Sequence, residues 1–249
     1  MKDGFKLYDT HTHVGQARHS GRRYSADQLL RDMDRFGVDR SVVIPFPVVE
    51  DYRSTHDEIG RAVRAHGDRL TGAACLYPFI PESDFRAEIR RCVETYGFRA
   101  LKFQPQYQGL NPISSRSDFL FEAAREHGLP VICHTGNGAP FALPSLFIVP
   151  ARKFPDLKIV LAHSGGSAYV LEAITAALVC PNVFLELSLL VPHLVAEVLG
   201  HIPASRLMIG SDLPESLEAE MSKILKLDAP AEARAEILWG TGARVFDAR

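Results

Sequence analysis

The feature that most constrains this chain is an alternation of short apolar segments with helix-like segments, repeated along all 249 residues. The apolar segments are mostly non-amphipathic, which is typical of buried parallel strands. The predicted strands are Lys6–Thr10, Arg40–Pro45, Leu70–Leu76, Arg99–Phe103, Pro130–His134, Leu157–His163, Asn182–Leu187 and Arg206–Ser211.

Helices are predicted between the strands, because apolar residues recur there at helical spacing. The predicted helices are Ala26–Phe36, Thr55–His66, Glu82–Tyr96, Asp118–Glu126, Pro144–Lys153, Ala168–Ala177, Pro192–Gly200, Leu217–Leu225 and Ala231–Leu238. Gly37, Gly97 and Gly128 each follow a helix closely, where a C-cap glycine is common. Strand and helix units of this number and length fit a (β/α)8 TIM barrel forming a single domain over residues 1–249. A doubly wound sheet is the alternative, but it would rarely need so many near-regular units.

Composition sets limits on partners and location. The chain is 46% hydrophobic and 23% charged with a formal net charge of −2, as expected of a globular protein. This balance argues against nucleic acid or a membrane as a partner recruited by bulk charge. The start of the chain lacks the apolar run of a signal peptide, and the cysteines lack CxxC spacing, so we expect a cytoplasmic protein with reduced thiols. A homodimer is expected only because two-fold assemblies are common.

The sequence His11-Thr12-His13 follows the first apolar segment. In a strand, side chains at i and i+2 point to the same face, so the two imidazoles would project side by side. Paired imidazoles are ready ligands for a metal ion. An HxH pair alone is structural about as often as functional, which is our own prior because histidine burial is mixed.

Three further polar residues, His134, His163 and Asp212, each end an apolar segment later in the chain. Strand alternation predicts that all three point into the barrel near its C-terminal mouth, where such barrels keep their active sites. The same alternation predicts that Leu7, Asp9, Ile159 and Leu161 face inward and that Val160, Ala162 and Cys133 face outward; Glu186 and Ser188 are also placed inside. Buried polar groups are costly unless they pair or coordinate something.

Together these segments resemble the amidohydrolase superfamily, in the amidohydrolase-related branch that includes aminocarboxymuconate-semialdehyde decarboxylase. The matching segments are Tyr8–His13, Ala100–Pro105, Val131–Gly136, Leu161–Gly166, Ile209–Pro214 and Ile237–Phe246. The resemblance implies that His11, His13 and His134 are metal ligands and that Asp212 is a further ligand. It also implies that His163 polarises the substrate or activates water.

Three imidazoles and one carboxylate suit one divalent ion, Zn²⁺ or else Mn²⁺, with a position left for water. Asp212 would accept the proton of that water, and His163 would orient a carbonyl or stabilise an oxyanion. In binuclear relatives a lysine at the position of Lys102 is carbamylated and bridges two metals, so a second metal stays open. A lysine paired with Asp212, Glu186 or a substrate carboxylate is the interpretation we favour.

Loops beyond the strands supply candidate substrate contacts. Gln104 and Tyr107 follow the fourth predicted strand, where a solvated loop explains them equally well. Asn137 follows the fifth, where a plain turn is the interpretation we favour. The loop after the HxH pair carries His19 with Arg18, Arg22 and Arg23; these could attract a carboxylated substrate, yet a surface charge run is the simpler interpretation.

The leading hypothesis is a metal-dependent hydrolase that acts on an ester, lactone or amide bond of a small-molecule substrate. The alternatives are non-oxidative decarboxylation of a small unsaturated or aromatic acid and a metal-free lactonase. A barrel that keeps these residues but only binds a ligand is a hypothesis of a different class. The residues near the metal do not separate hydrolysis from decarboxylation, because both use the same centre.

Overall fold

The computed structural model describes residues 1–18 and 20–247 and shows a parallel β-barrel surrounded by helices. His19 and the last two residues of the predicted domain lie outside the described residues. Within that part of the chain the strands are β1 (Tyr8–Gln16), β2 (Arg23–Tyr24), β3 (Arg40–Pro45), β4 (Leu70–Ala74), β5 (Ala100–Phe103), β6 (Val131–His134), β7 (Ile159–Ala162), β8 (Val183–Glu186) and β9 (Leu207–Met208).

The barrel closes between its first and last strands. β1 pairs with β3, and each later strand pairs in parallel with the next, up to β9. Thr10 N then donates to Ile209 O at 2.9 Å and Asp212 N donates to His11 O at 2.7 Å, which joins the two edges. The prediction of a TIM barrel is confirmed, and β2 adds a short antiparallel hairpin to β1 that the sequence did not predict.

Helices follow the strands on the outside of the barrel. They are α1 (Ala26–Phe36), α2 (Tyr52–Ala65), α3 (Glu82–Tyr96), α4 (Pro105–Gln108), α5 (Asp118–Glu126), α6 (Ile148–Lys153), α7 (Gly166–Val179), α8 (Pro192–His201), α9 (Leu217–Leu225), α10 (Ala231–Ala235) and, after a π-helical turn, α11 (Thr241–Phe246). Ser25 and Gln28 form a capping box at the start of α1, and left-handed Gly37 and Gly97 end α1 and α3 as expected. No helix among the described residues is long and apolar enough to cross a membrane.

Two apolar clusters separate the inside of the barrel from its outside. The larger cluster lies between strands and helices and includes Leu101, Cys133 and Leu161. The smaller cluster fills the barrel and combines Val42, Ala100, Ile132, Val160 and Met208 from separate strands with α11 residues. Its members therefore identify which side chains point inward. All four cysteines are free and buried.

This partition corrects the predicted orientation of two strands. Val160 and Ala162 lie inside the barrel, whereas Ile159 and Leu161 lie outside, so the prediction for β7 was wrong. Leu7 also lies outside. The pairing of β1 with β3 shifts register between Asp9 and Thr12, so simple alternation does not hold through β1.

Candidate metal centre

β1 carries the two histidines of the HxH pair. The prediction ended this strand at Thr10, before both histidines. The strand instead continues through them to Gln16, so both lie within it. Their Nε2 atoms are 3.1 Å apart. His13 Nδ1 lies 2.9 Å from Pro45 O, and His11 Nδ1 lies 3.3 Å from a carboxylate oxygen of Glu186. Because both partners only accept hydrogen bonds, each neutral ring carries its proton on Nδ1 and leaves Nε2 with a free lone pair.

Both rings are electrically neutral at ordinary pH. Burial, followed by the charge of Lys102, lowers the pKa of His13 to about 3. The same two causes hold the pKa of His11 well below its usual value. Neutral imidazole is the form that binds metals.

Asp212 joins the histidine pair from the opposite edge of the barrel. It follows β9 in a left-handed conformation with φ of 59°, and its amide donates to His11 O. Its Oδ1 lies 3.6 Å from His11 Nε2 and 3.6 Å from His13 Nε2. Burial raises the pKa of this carboxyl to about 6.

The separations among these three donor atoms fit one shared ion. Ligand atoms about 2.0–2.2 Å from a metal are separated by roughly 2.8–3.6 Å in tetrahedral or octahedral geometry. The three atoms from His11, His13 and Asp212 fall within this range, and they form one of the groups of nearby donor atoms among the described residues.

His163 reaches the same region by a break in β7. The strand ends at Ala162, and His163 and Ser164 adopt left-handed φ values of 65° and 46°. Strand alternation therefore does not place His163; the turn does. Its Nε2 lies 3.8 Å from Asp212 Oδ1, and its Nδ1 lies 2.7 Å from Ser188 Oγ. Burial lowers its pKa well below the usual value, so the ring is neutral.

His134 lies at the edge of this cluster. Its ring centre is 4.9 Å from that of His163, and its Nε2 is 2.8 Å from Asn137 O. That carbonyl accepts the Nε2 proton, so Nδ1 is the unprotonated nitrogen of this ring. The groups of donor atoms within 4.8 Å of one another, among the described residues, do not include His134. Its role as a ligand stays a prediction.

Lys102 points into the barrel beside the histidine pair, as its position in β5 predicts. The side chain is buried, and its Nζ lies 2.7 Å from His11 Nε2. Burial lowers the pKa of the amine. The amine thus contacts the same nitrogen that faces His13.

The candidate substrate residues behave differently from one another. Gln104 is buried, and its side-chain oxygen caps α4 by accepting from Tyr107 N at 3.3 Å. Asn137 supplies the carbonyl that holds His134. Tyr107 is half exposed and lines a cavity of about 280 Å³ with Arg18, Tyr52 and Tyr77. The role of all three residues in binding substrate stays a prediction.

Glu186 and Ser188 are buried beside the histidines. The sequence predicted Glu186 only as a possible partner of Lys102 and gave Ser188 no role. Glu186 contacts His11, and Ser188 contacts His163. The available signal was the pair of polar residues at the end of an apolar strand, both predicted to face inward.

Comparison with known families identifies the chain. The family model described as Amidohydrolase matches residues 8–248. The chain belongs to the amidohydrolase family. The predicted resemblance is therefore confirmed, and the five matching segments that end strands surround the centre described above. No curated protein matched the sequence.

Several solved structures share the amidohydrolase fold with this chain at low identity. A 4-oxalomesaconate hydratase from Rhodopseudomonas palustris is 18% identical with a TM-score of 0.72, covering 97% of this chain and 95% of that one. A 5-carboxyvanillate decarboxylase from Novosphingobium aromaticivorans, complexed with manganese, is 16% identical with a TM-score of 0.76, covering 99% and 97%. A structure described as a probable 2-pyrone-4,6-dicarboxylic acid hydrolase from Acinetobacter baumannii is 13% identical with a TM-score of 0.71, covering 98% and 100%. This amidohydrolase fold thus carries several reaction classes.

Proposed function

We propose that the protein is a metal-dependent hydrolase that cleaves an ester, lactone or amide bond of a small molecule. The observation that carries this proposal is the neutral ring of His163, whose Nε2 lies 3.8 Å from Asp212 Oδ1. Asp212 in turn faces the unprotonated nitrogens of His11 and His13. A base, a carboxylate and a pair of ligands thus meet at one point.

The proposed ligands are His11, His13 and Asp212, with His134 as a third imidazole. This donor set suits a divalent ion such as Zn²⁺, and Mn²⁺ is the alternative, as in the manganese complex of the decarboxylase. When bound, such an ion polarises a carbonyl oxygen and lowers the pKa of a coordinated water.

The chain's own residues supply proton transfer and orientation. With its proton on Nδ1, His163 presents Nε2 as an acceptor for a proton of the attacking water. Without a bound ion, burial raises the pKa of Asp212 to about 6, and a bound cation would lower it. The 18% exposure of the Asp212 side chain leaves this group open to an entering substrate.

Decarboxylation of a small unsaturated or aromatic acid is the second candidate. It is supported by the buried amine of Lys102 beside the centre, which in its protonated form could hold a substrate carboxylate. The similarity in fold to the manganese-containing decarboxylase points the same way. Under this alternative Lys102 binds substrate and has no second metal to bridge.

Elemental analysis of the purified protein tests the metal, and product analysis tests the reaction. We expect about one zinc or manganese per chain, loss of turnover after chelation, and recovery when the ion is returned. In ¹⁸O-labelled water the acid product of hydrolysis carries the label, whereas carbon dioxide release would establish the decarboxylase instead. Turnover that survives chelation would mean a metal-free lactonase, and ligand binding without turnover would mean a binding protein.

A further inference from the structure

Glu186 and Ser188 form a buried hydrogen-bonded network beneath the candidate centre. Glu186 Oε1 accepts from Ser188 N at 2.7 Å and from Gly210 N at 2.9 Å. Its Oε2 accepts from Ser188 Oγ at 2.8 Å and from His163 N at 3.0 Å. Both side chains are fully buried, and so many donors on one carboxylate indicate that Glu186 acts only as an acceptor.

The single proton of the Ser188 hydroxyl determines the state of His163. Because Glu186 accepts that proton, the hydroxyl oxygen can only accept from the other neighbour, His163 Nδ1, at 2.7 Å. If Nδ1 instead lacked its proton, two acceptors would face each other in a buried site, which is costly. The network therefore requires His163 to carry its proton on Nδ1.

The same carboxylate contacts both imidazoles on which the centre depends. Glu186 Oε2 lies 3.3 Å from His11 Nδ1, and it reaches His163 Nδ1 through Ser188. Glu186 Oε2 also accepts a hydrogen bond from the backbone amide of His163, and this bond stabilises the left-handed conformation of that residue. One buried acid thus orients a proposed metal ligand and a proposed base, with Nε2 of each ring turned towards Asp212.

We propose that Ser188 and Glu186 act as a hydrogen-bonded relay that fixes His163 with its proton on Nδ1 and its Nε2 free, making Ser188 a positioning residue for the reaction. This inference rests on the proposed function for its effect on turnover. The state of the His163 ring, in contrast, is measurable without any substrate.

Nitrogen NMR of protein labelled with ¹⁵N-histidine tests the relay, because the shifts and couplings of the two ring nitrogens distinguish the tautomers. The spectra are recorded on the purified protein and on a zinc-loaded sample, and His163→Asn identifies the His163 signals. We expect wild-type His163 to show a protonated Nδ1. In Ser188→Ala we expect His163 to show a mixture of the two tautomers. In Ser188→Thr, which keeps a hydroxyl, we expect His163 to show a protonated Nδ1, as in the wild type.

Ser41→Ala is the matched control, since it removes a buried hydroxyl that has no hydrogen-bond partner among the described residues. We expect its His163 signals to equal those of the wild type. With an active substrate, Ser188→Ala should lower kcat about tenfold or more with little change in KM or zinc content, as for other residues that orient catalytic histidines.

Two results would overturn the relay. One is a wild-type His163 with its proton on Nε2, which decides the matter even if Ser188→Ala does not fold. The other is a Ser188→Ala spectrum in which the His163 signals match the wild type. Failure to find any hydrolytic or decarboxylase substrate would count against the proposed function and would leave the NMR result as the test of the relay.

Discussion

Lys102 Nζ lies 2.7 Å from His11 Nε2, the nitrogen that also faces His13. A buried amine in this position either competes with a metal ion for His11 or, once carbamylated, shares in holding two ions. The two alternatives differ in what happens when the amine is removed.

We expect Lys102→Met to bind Zn²⁺ at least about tenfold more tightly than the wild type, because it removes a positive charge next to the ligands. Metal content should stay at about one ion per chain. Zinc titration calorimetry and elemental analysis measure both quantities, with Lys158→Met as control, because Lys158 Nζ bonds to Arg244 O instead of the histidines. A fall from two ions to one in Lys102→Met would establish a carbamylated bridge instead.

We expect His163→Asn to keep nearly all of its metal and to lose about a hundredfold or more in turnover, as for loss of a general acid–base group. The donor atoms of His11, His13 and Asp212 form a group without His163, which forms a second group with His11 and Glu186. The first group stays intact in His163→Asn. Metal content and kcat measured on the same preparation check it. His11→Ala is the comparison variant and should lose the metal outright; loss of metal from His163→Asn would make His163 a ligand.

Metal affinity should fall as the pH is lowered from 7 to 5. Burial raises the pKa of Asp212 to about 6, so this carboxyl gains a proton in that range, whereas His13, with a pKa of about 3, stays neutral. Below pH 6 the affinity for zinc should drop by about tenfold per pH unit. Calorimetry at pH 5, 6 and 7.5 measures this, and Asp212→Asn should bind more weakly at every pH without that dependence.

The stability of the metal-free protein should depend on pH in the direction opposite to its metal affinity: the contribution of Asp212 should increase as the pH is lowered. A raised pKa means that the folded state disfavours the ionised carboxyl relative to the unfolded chain. The contribution of Asp212 to the free energy of unfolding is therefore greatest below about pH 4 and is lost as the pH rises through 6. Urea unfolding of wild type and Asp212→Asn isolates this contribution: the free energy of unfolding of the wild type minus that of the variant should fall as the pH rises from about 4 to about 6. A rise of this quantity with pH would contradict the prediction.

Gly210→Ala should weaken metal binding by moving His11. A Cβ at Gly210 would lie 2.6 Å from His11 Cβ and 2.8 Å from His11 N, so the backbone of β1 must shift. We expect a loss of about 1–3 kcal/mol in stability, as for other overpacked interiors, together with lower zinc affinity. Gly200→Ala in α8 is the matched control: nothing lies within 4 Å of its Cβ, and alanine should stabilise the helix by up to about 1 kcal/mol. Equal thermal unfolding of the two variants would argue against a tight contact at Gly210.

Periodicity predicted the barrel because most strands are apolar on both faces and alternate with segments of helical spacing. The bounds of α1, α3, α5 and α9 agree with the prediction, since caps such as Ser25 and Gly97 mark them in the sequence. The short elements β2 and α4 were missed. α4 is a single turn capped by Gln104, and a segment of four residues is too short to show the spacing of apolar residues that predicts a helix.

The sequence predicted which residues come together at the site, but not the detailed geometry of their side chains. Inward orientation of Lys102 and Glu186 follows from strand alternation. His163 does not follow, because its left-handed backbone reverses the direction that alternation gives. The hydrogen bond between His134 Nε2 and Asn137 O likewise depends on a loop conformation that the residue pattern does not specify. A cytoplasmic location and a homodimer stay predictions.

Three of the proposed ligands come from the two strands that meet where the barrel closes: His11 and His13 from the first, Asp212 from just after the last. An ion held by all three would bind both edges of the closure together. During synthesis, a nascent chain would lack this carboxylate until Asp212 had emerged from the ribosome, long after His11 and His13. High-affinity metal uptake would therefore follow closure of the barrel and would be restricted to chains in which β1 already contacts the segment that carries Asp212.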